Sequence, residues 1–100
     1  MPRKKTARTE PEEELLLSGI PEWRIDRSTI HRIARTFSFR SFTDAVDFVN
    51  SVAAVAEFEN HHPDIHIRFR NVTIECYSHA AHGLTENDFI VAARVDAESR

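Results

Sequence analysis

One change of rhythm constrains this chain most. Between Ser41 and Asn60, apolar residues recur at helical spacing: Phe42, Ala45, Val46, Val49, Val52, Ala53 and Ala56. Pro63 then forbids much continuation of that helix. From Ile65 the period drops to two. Ile65, Ile67 and Phe69 alternate with His66, Arg68 and Arg70. Past a turn near Asn71, Val72, Ile74 and Cys76 alternate with Thr73, Glu75 and Tyr77. That pattern describes a hairpin with one face in the core. A long amphipathic helix that feeds a hairpin buries its stripe on the apolar face of the sheet, so the chain reads as α+β.

The remaining segments extend the same plan. Residues 30–39 are a strand candidate, with Ile33, Arg35, Phe37 and Phe39 on one face. Residues 20–27 read as extended. Pro11 followed by glutamates starts a short helix that ends near Ser18-Gly19. Ser41 and Thr85 are N-cap candidates, each with an acid three residues on, Asp44 and Asp88. The expected order is α-β-β-α-β-β-α: a four-stranded antiparallel sheet with three helices on one face. Residues 89–93 are apolar all round, which predicts a helix buried on two sides, the second being a subunit interface. Residues 1–9 carry four basic side chains and no acid, and read as a disordered basic tail. Residues 10–100 then form one domain, since 100 residues leave no room for a second core.

Composition excludes several classes. A net charge of −3 gives no reason to expect nucleic acid as a partner. No apolar run approaches the length of a membrane span, and no secretory signal follows the basic N-terminus. The single cysteine, Cys76, excludes an internal disulfide and a cysteine-based zinc site. The expected setting is the reducing cytoplasm.

The histidines carry the chemistry. There are six, and five lie between residues 61 and 82. Histidine titrates near neutrality and is the usual side chain for moving protons there. His61 and His62 sit at the helix-to-strand corner, and His79 just past the last strand. A hairpin turning near Asn71 brings residues 61–65 beside residues 77–81, so His61, His62 and His79 should share a pocket. Glu57 lies four residues before His61, where it is either an ordinary surface pair or a carboxylate that fixes the imidazole tautomer. Scattered surface histidines are the bland alternative, but adjacent histidines at a corner rarely serve packing. A metal site is disfavoured by the absence of cysteine pairs and of any HExxH spacing. His31 reads as structural and His66 as solvated, and the role of His82 stays open.

The run Glu57-Phe58-Glu59-Asn60-His61-His62-Pro63, then Phe69, His79 and Asp88, resembles the pterin-4a-carbinolamine dehydratase family. That family carries an acid, His-His-Pro, an aromatic six residues after the proline, a histidine ten later and a final aspartate. The spacings hold here. Trp23-Arg24-Ile25, Phe37-Ser38-Phe39, Phe48-Val49-Asn50 and Gly83-Leu84-Thr85 look like the family framework, so the resemblance spans roughly residues 12–96.

The resemblance implies the same fold, a homodimer or homotetramer, and no metal or organic cofactor. It implies dehydration of a 4a-hydroxytetrahydropterin to quinonoid dihydropterin, which recycles the pterin used by aromatic amino acid hydroxylases. His61 and His79 carry over as acid and base, and His62 mainly as a pterin-binding group. Glu57, Asn60, Pro63, Ser78 and Ala80 join them around the substrate. The chain departs from the family at Ala80, where an acid is common, at Ile65, where a large aromatic is common, and at His82, where a small residue is common. Asp88 is explained without catalysis as the capping acid of Thr85. The alternative function is a non-catalytic, dehydratase-like scaffold that acts as an assembly chaperone or dimerisation partner.

Overall fold

A computed structural model describes residues 6–100. Helix α1 spans Glu10–Leu17. Thr9 caps it through a capping box: its backbone N–H donates to Glu12 Oε1 at 2.8 Å, and its hydroxyl accepts the Glu12 N–H at 3.4 Å. Of the tail expected over residues 1–9, the first five lie outside the described residues. Thr9 is this cap, and the Arg8 N–H donates to the Leu84 carbonyl at 2.7 Å.

Strands β1 (Arg24–Asp26) and β2 (Arg32–Ser38) follow, then helix α2 (Phe42–Glu59). The Ser41 hydroxyl accepts the Asp44 N–H at 3.0 Å at the start of α2. Asn60 ends it in the left-handed region, with φ of 51°. Strands β3 (Asp64–Arg68) and β4 (Asn71–Cys76) form the expected hairpin, a single 3-10 turn covers His79–Ala81, and helix α3 runs Glu86–Glu98. The sheet order is β1-β2-β4-β3, and every neighbouring pair is antiparallel. The expected class and element order are observed.

Alternation divides the sheet into two faces. Ile33, Phe37, Val72, Ile74 and Cys76 are buried on the face that α2 and α3 cover. The other face is polar, with Thr36 bonded to Thr73 at 2.8 Å and Ser38 to Asn71 at 2.7 Å. One core joins the two layers, from Ile20 and Trp23 through Phe48, Val52 and Val55 to Phe89, Val91 and Val95. Two polar ties lock its rim. Asp96 Oδ1 of α3 accepts from Trp23 Nε1 at 2.8 Å and from Arg35 at 2.7 Å. The buried Glu13 carboxylate pairs with Arg27 Nε and with His31 Nδ1, each at 2.9 Å, which confirms His31 as structural.

Two expectations need correction. The buried residues of α2 are Ala45, Phe48, Val52, Val55 and Ala56, whereas Phe42 is 52% exposed and Ala53 is exposed. The ring of Phe48 stacks on Phe37 and Phe39 at 4.8 and 4.9 Å and sets the helix rotation. Phe69 is not a strand residue. It opens the two-residue turn of the hairpin at φ of 54° and is 71% exposed. A tight hairpin turn needs that positive φ, even at the cost of placing a bulky residue there. Within residues 89–93 of α3, Phe89, Val91 and Ala92 are buried inside the single chain, Ile90 is half-buried and Ala93 is exposed. Among the described residues, no helix is long and apolar enough to cross a membrane.

Candidate active site

The hairpin register pairs Asp64 with Glu75, so the entry to β3 lies beside the exit of β4. The end of α2 and the 3-10 turn therefore face each other across a cleft of about 520 Å³. His61, His62 and His79 all line it, together with Asn60, Ser78 and Ala80. Glu57 and Pro63, the other two expected substrate-binding residues, do not line it. The volume suits a small bicyclic ligand.

Each histidine is held differently. His61 Nε2 lies 2.6 Å from Oδ1 of Asp88, which is fully buried. Asp88 Oδ2 accepts the Ser78 hydroxyl at 2.8 Å and the Thr85 N–H at 2.9 Å. One carboxylate thus caps α3 and orients His61. His62 Nε2 pairs with Glu57 at the exposed rim. His79 Nε2 lies 2.7 Å from the Tyr77 hydroxyl, with the two rings 4.5 Å apart. A carboxylate only accepts, so Nε2 of His61 and of His62 carries the proton.

The expected Glu57–His61 pair does not form. The spacing rule behind it assumes continued helix, but Asn60 breaks the helix one residue earlier. The break swings His61 inward to Asp88 and leaves His62 to meet Glu57. Ser78 also differs from expectation: it is buried, and its hydroxyl is engaged by Asp88 and Thr85. His66 pairs with Glu75 at 3.1 Å on the exposed face, away from the cleft. His82, at φ of 54°, closes the 3-10 turn and is exposed. The loop is further closed by Ser78 and Gly83, which form an antiparallel bridge. Among the described residues, no cluster of three His, Cys, Asp or Glu side chains could hold a metal ion.

The profile of the pterin 4 alpha carbinolamine dehydratase family matches residues 4–98. The chain belongs to that family. A candidate dehydratase of the same name from Halorhodospira halophila is 48% identical over 84 residues, covering 84% of this chain and 76% of that protein. The crystal structure of a transcriptional coactivator/pterin dehydratase from Brucella melitensis is also similar. Its TM-score is 0.89 at 27% identity, over 95% of this chain and 100% of that one. A pterin dehydratase-like RuBisCO assembly factor of the alpha-carboxysome is similar at a TM-score of 0.66 and 29% identity. That match covers 78% of this chain and 89% of the other.

Two residues beside the histidines make contacts that the sequence pattern does not reveal. Asp88, the last residue of the family motif and explained there by the cap on Thr85, also holds His61 through its second oxygen. Tyr77 was assigned to the polar face of β4. The available signal was its spacing of two from His79, which puts both side chains on one side of an extended chain.

Proposed function

We propose that this protein dehydrates a pterin-4a-carbinolamine to the quinonoid dihydropterin by histidine acid–base catalysis. The observation that carries the reading is the convergence of three imidazoles on one cleft, each anchored through Nε2. The reaction needs two proton transfers. The C4a hydroxyl leaves as water once it is protonated. The N5 lone pair forms the C4a–N5 double bond, and N5 gives up its proton. His61 and His79, which both line the cleft, serve as the acid–base pair, and His62 at the rim binds the pterin. Asn60 supplies a further polar contact to the ring. No metal or organic cofactor enters the scheme. In this role the protein returns pterin to the aromatic amino acid hydroxylases.

Stopped-flow dehydration of enzymatically generated 4a-hydroxytetrahydropterin tests the reading. The wild type should outpace the uncatalysed reaction, and His79→Ala should lose about 10²–10⁴-fold in turnover. A wild type no faster than the uncatalysed reaction would refute it.

A second reading, an assembly or coactivator scaffold, draws on the two solved relatives and on exposed aromatics. Phe58 and Phe69 are 75% and 71% exposed, more than a lone small domain needs. A homodimer or homotetramer is the simplest cover for them. Sedimentation velocity should return a mass two or four times the 11.5 kDa chain.

A further inference from the structure

The three imidazoles share one arrangement and differ in one partner. His61 and His62 donate hydrogen bonds from Nε2 to carboxylates, Asp88 and Glu57. His79 has a phenol instead, Tyr77, at 2.7 Å. Ala80, the residue after it, has no polar side chain to offer, and the Ser78 hydroxyl before it is engaged by Asp88 and Thr85. The phenol is itself held in place. The Arg32 guanidinium lies over the Tyr77 ring, 4.8 Å from its centroid, while the His79 ring packs against it at 4.5 Å. Such a cation over an aromatic face fixes the ring by electrostatic attraction. Tyr77 also lines the cleft beside His79.

We propose that Tyr77 is a positioning residue for His79, its oxygen accepting the Nε2 proton so that Nδ1 alone exchanges protons with the substrate. This rests on the dehydratase reading of the same cleft. A phenol oxygen is an acceptor as well as a donor, so it can replace the carboxylate role found at His61 and His62. The phenol keeps its own proton. When Nδ1 takes or gives a proton, the Nε2–H···O bond persists, so the ring need not reorient between the two halves of a turnover. All three histidines then present the same nitrogen for exchange.

Tyr77→Phe tests this while keeping the ring, the stack and the cation contact. Turnover should fall about tenfold with KM within about twofold, the size expected when a proton-transfer group is slightly misplaced. Nitrogen-15 histidine NMR of the neutral ring should show the His79 proton on Nε2 in the wild type and spread over both nitrogens in Tyr77→Phe. In a His79→Ala background, Tyr77→Phe should cause no further loss, because it acts through His79. An unchanged tautomer overturns the proposal. So does unchanged turnover in an active wild type, or an equal further loss in the His79→Ala background. If the wild type is inactive, the dehydratase reading fails, and the tautomer comparison alone decides whether Tyr77 positions His79.

Discussion

Asp88 divides its carboxylate between a helix end and an imidazole, and the two oxygens have separate consequences. Asp88→Asn puts an amide nitrogen where one of these two acceptors stood. Stability should fall by about 1–3 kcal/mol, the usual cost of a broken buried hydrogen bond, as urea titration would show. Turnover should fall with it, because His61 loses its orienting partner. Glu57→Gln at the solvent-exposed rim should leave stability within about 0.5 kcal/mol. The contrast separates an internal charge network from a surface pair. The capping role of Asp88 was legible because Thr85 precedes it by three residues. Its hold on His61 was not, since it depends on how the end of α2 packs against the start of α3. Glu57 was matched to the wrong neighbour for a related reason: local spacing cannot say where a helix stops to within one residue.

At the level of elements, the order and type of each segment followed from period and caps, and their boundaries nearly so. The rotation of α2 did not. A period of 3.6 allows several adjacent stripes when valine and alanine are scattered around the helix, and the largest ring decides between them. Phe48→Ala should therefore cost about 3–5 kcal/mol in chemical denaturation, and Phe42→Ala less than about 1 kcal/mol. Equal losses would mean that Phe42 is as deeply packed as Phe48. Strand order was also out of reach. The central β2–β4 pairing joins segments separated by a whole helix and a strand, and no local rule selects it. The hairpin of β3 and β4 was legible because two short apolar sets of period two follow each other directly. Its turn was expected near Asn71 and lies at Phe69-Arg70, because nothing in a phenylalanine announces a positive φ.

Taken whole, the molecule has one core and an open polar sheet face, and the charges at the core's rim bind its parts together. Cys76 ends the inner strand β4, where burial, aided by the nearby carboxylates of Asp88, Asp64 and Glu75, pushes its thiol well above the ordinary 9.0. A raised folded value means that the unfolded chain releases this proton first. Its contribution is complete below pH 9.0 and is lost as the pH climbs above it. Unfolding free energy should therefore drop as the pH rises past 9.0, and Cys76→Ala should flatten part of that drop. Thiol reagents should label Cys76 only as fast as the protein unfolds.

The loop bearing His79 is closed on itself by paired backbone bonds between Ser78 and Gly83. Such a loop arrives at the encounter already ordered. Little conformational entropy is surrendered when a ligand enters, so association should proceed in one kinetic phase without a slower closing step. Calorimetry of ligand binding should then show a heat-capacity change set by the surface covered in the cleft, with no added share from a folding segment. Selectivity in such a site comes from the fixed spacing of its walls, in the manner of a mould.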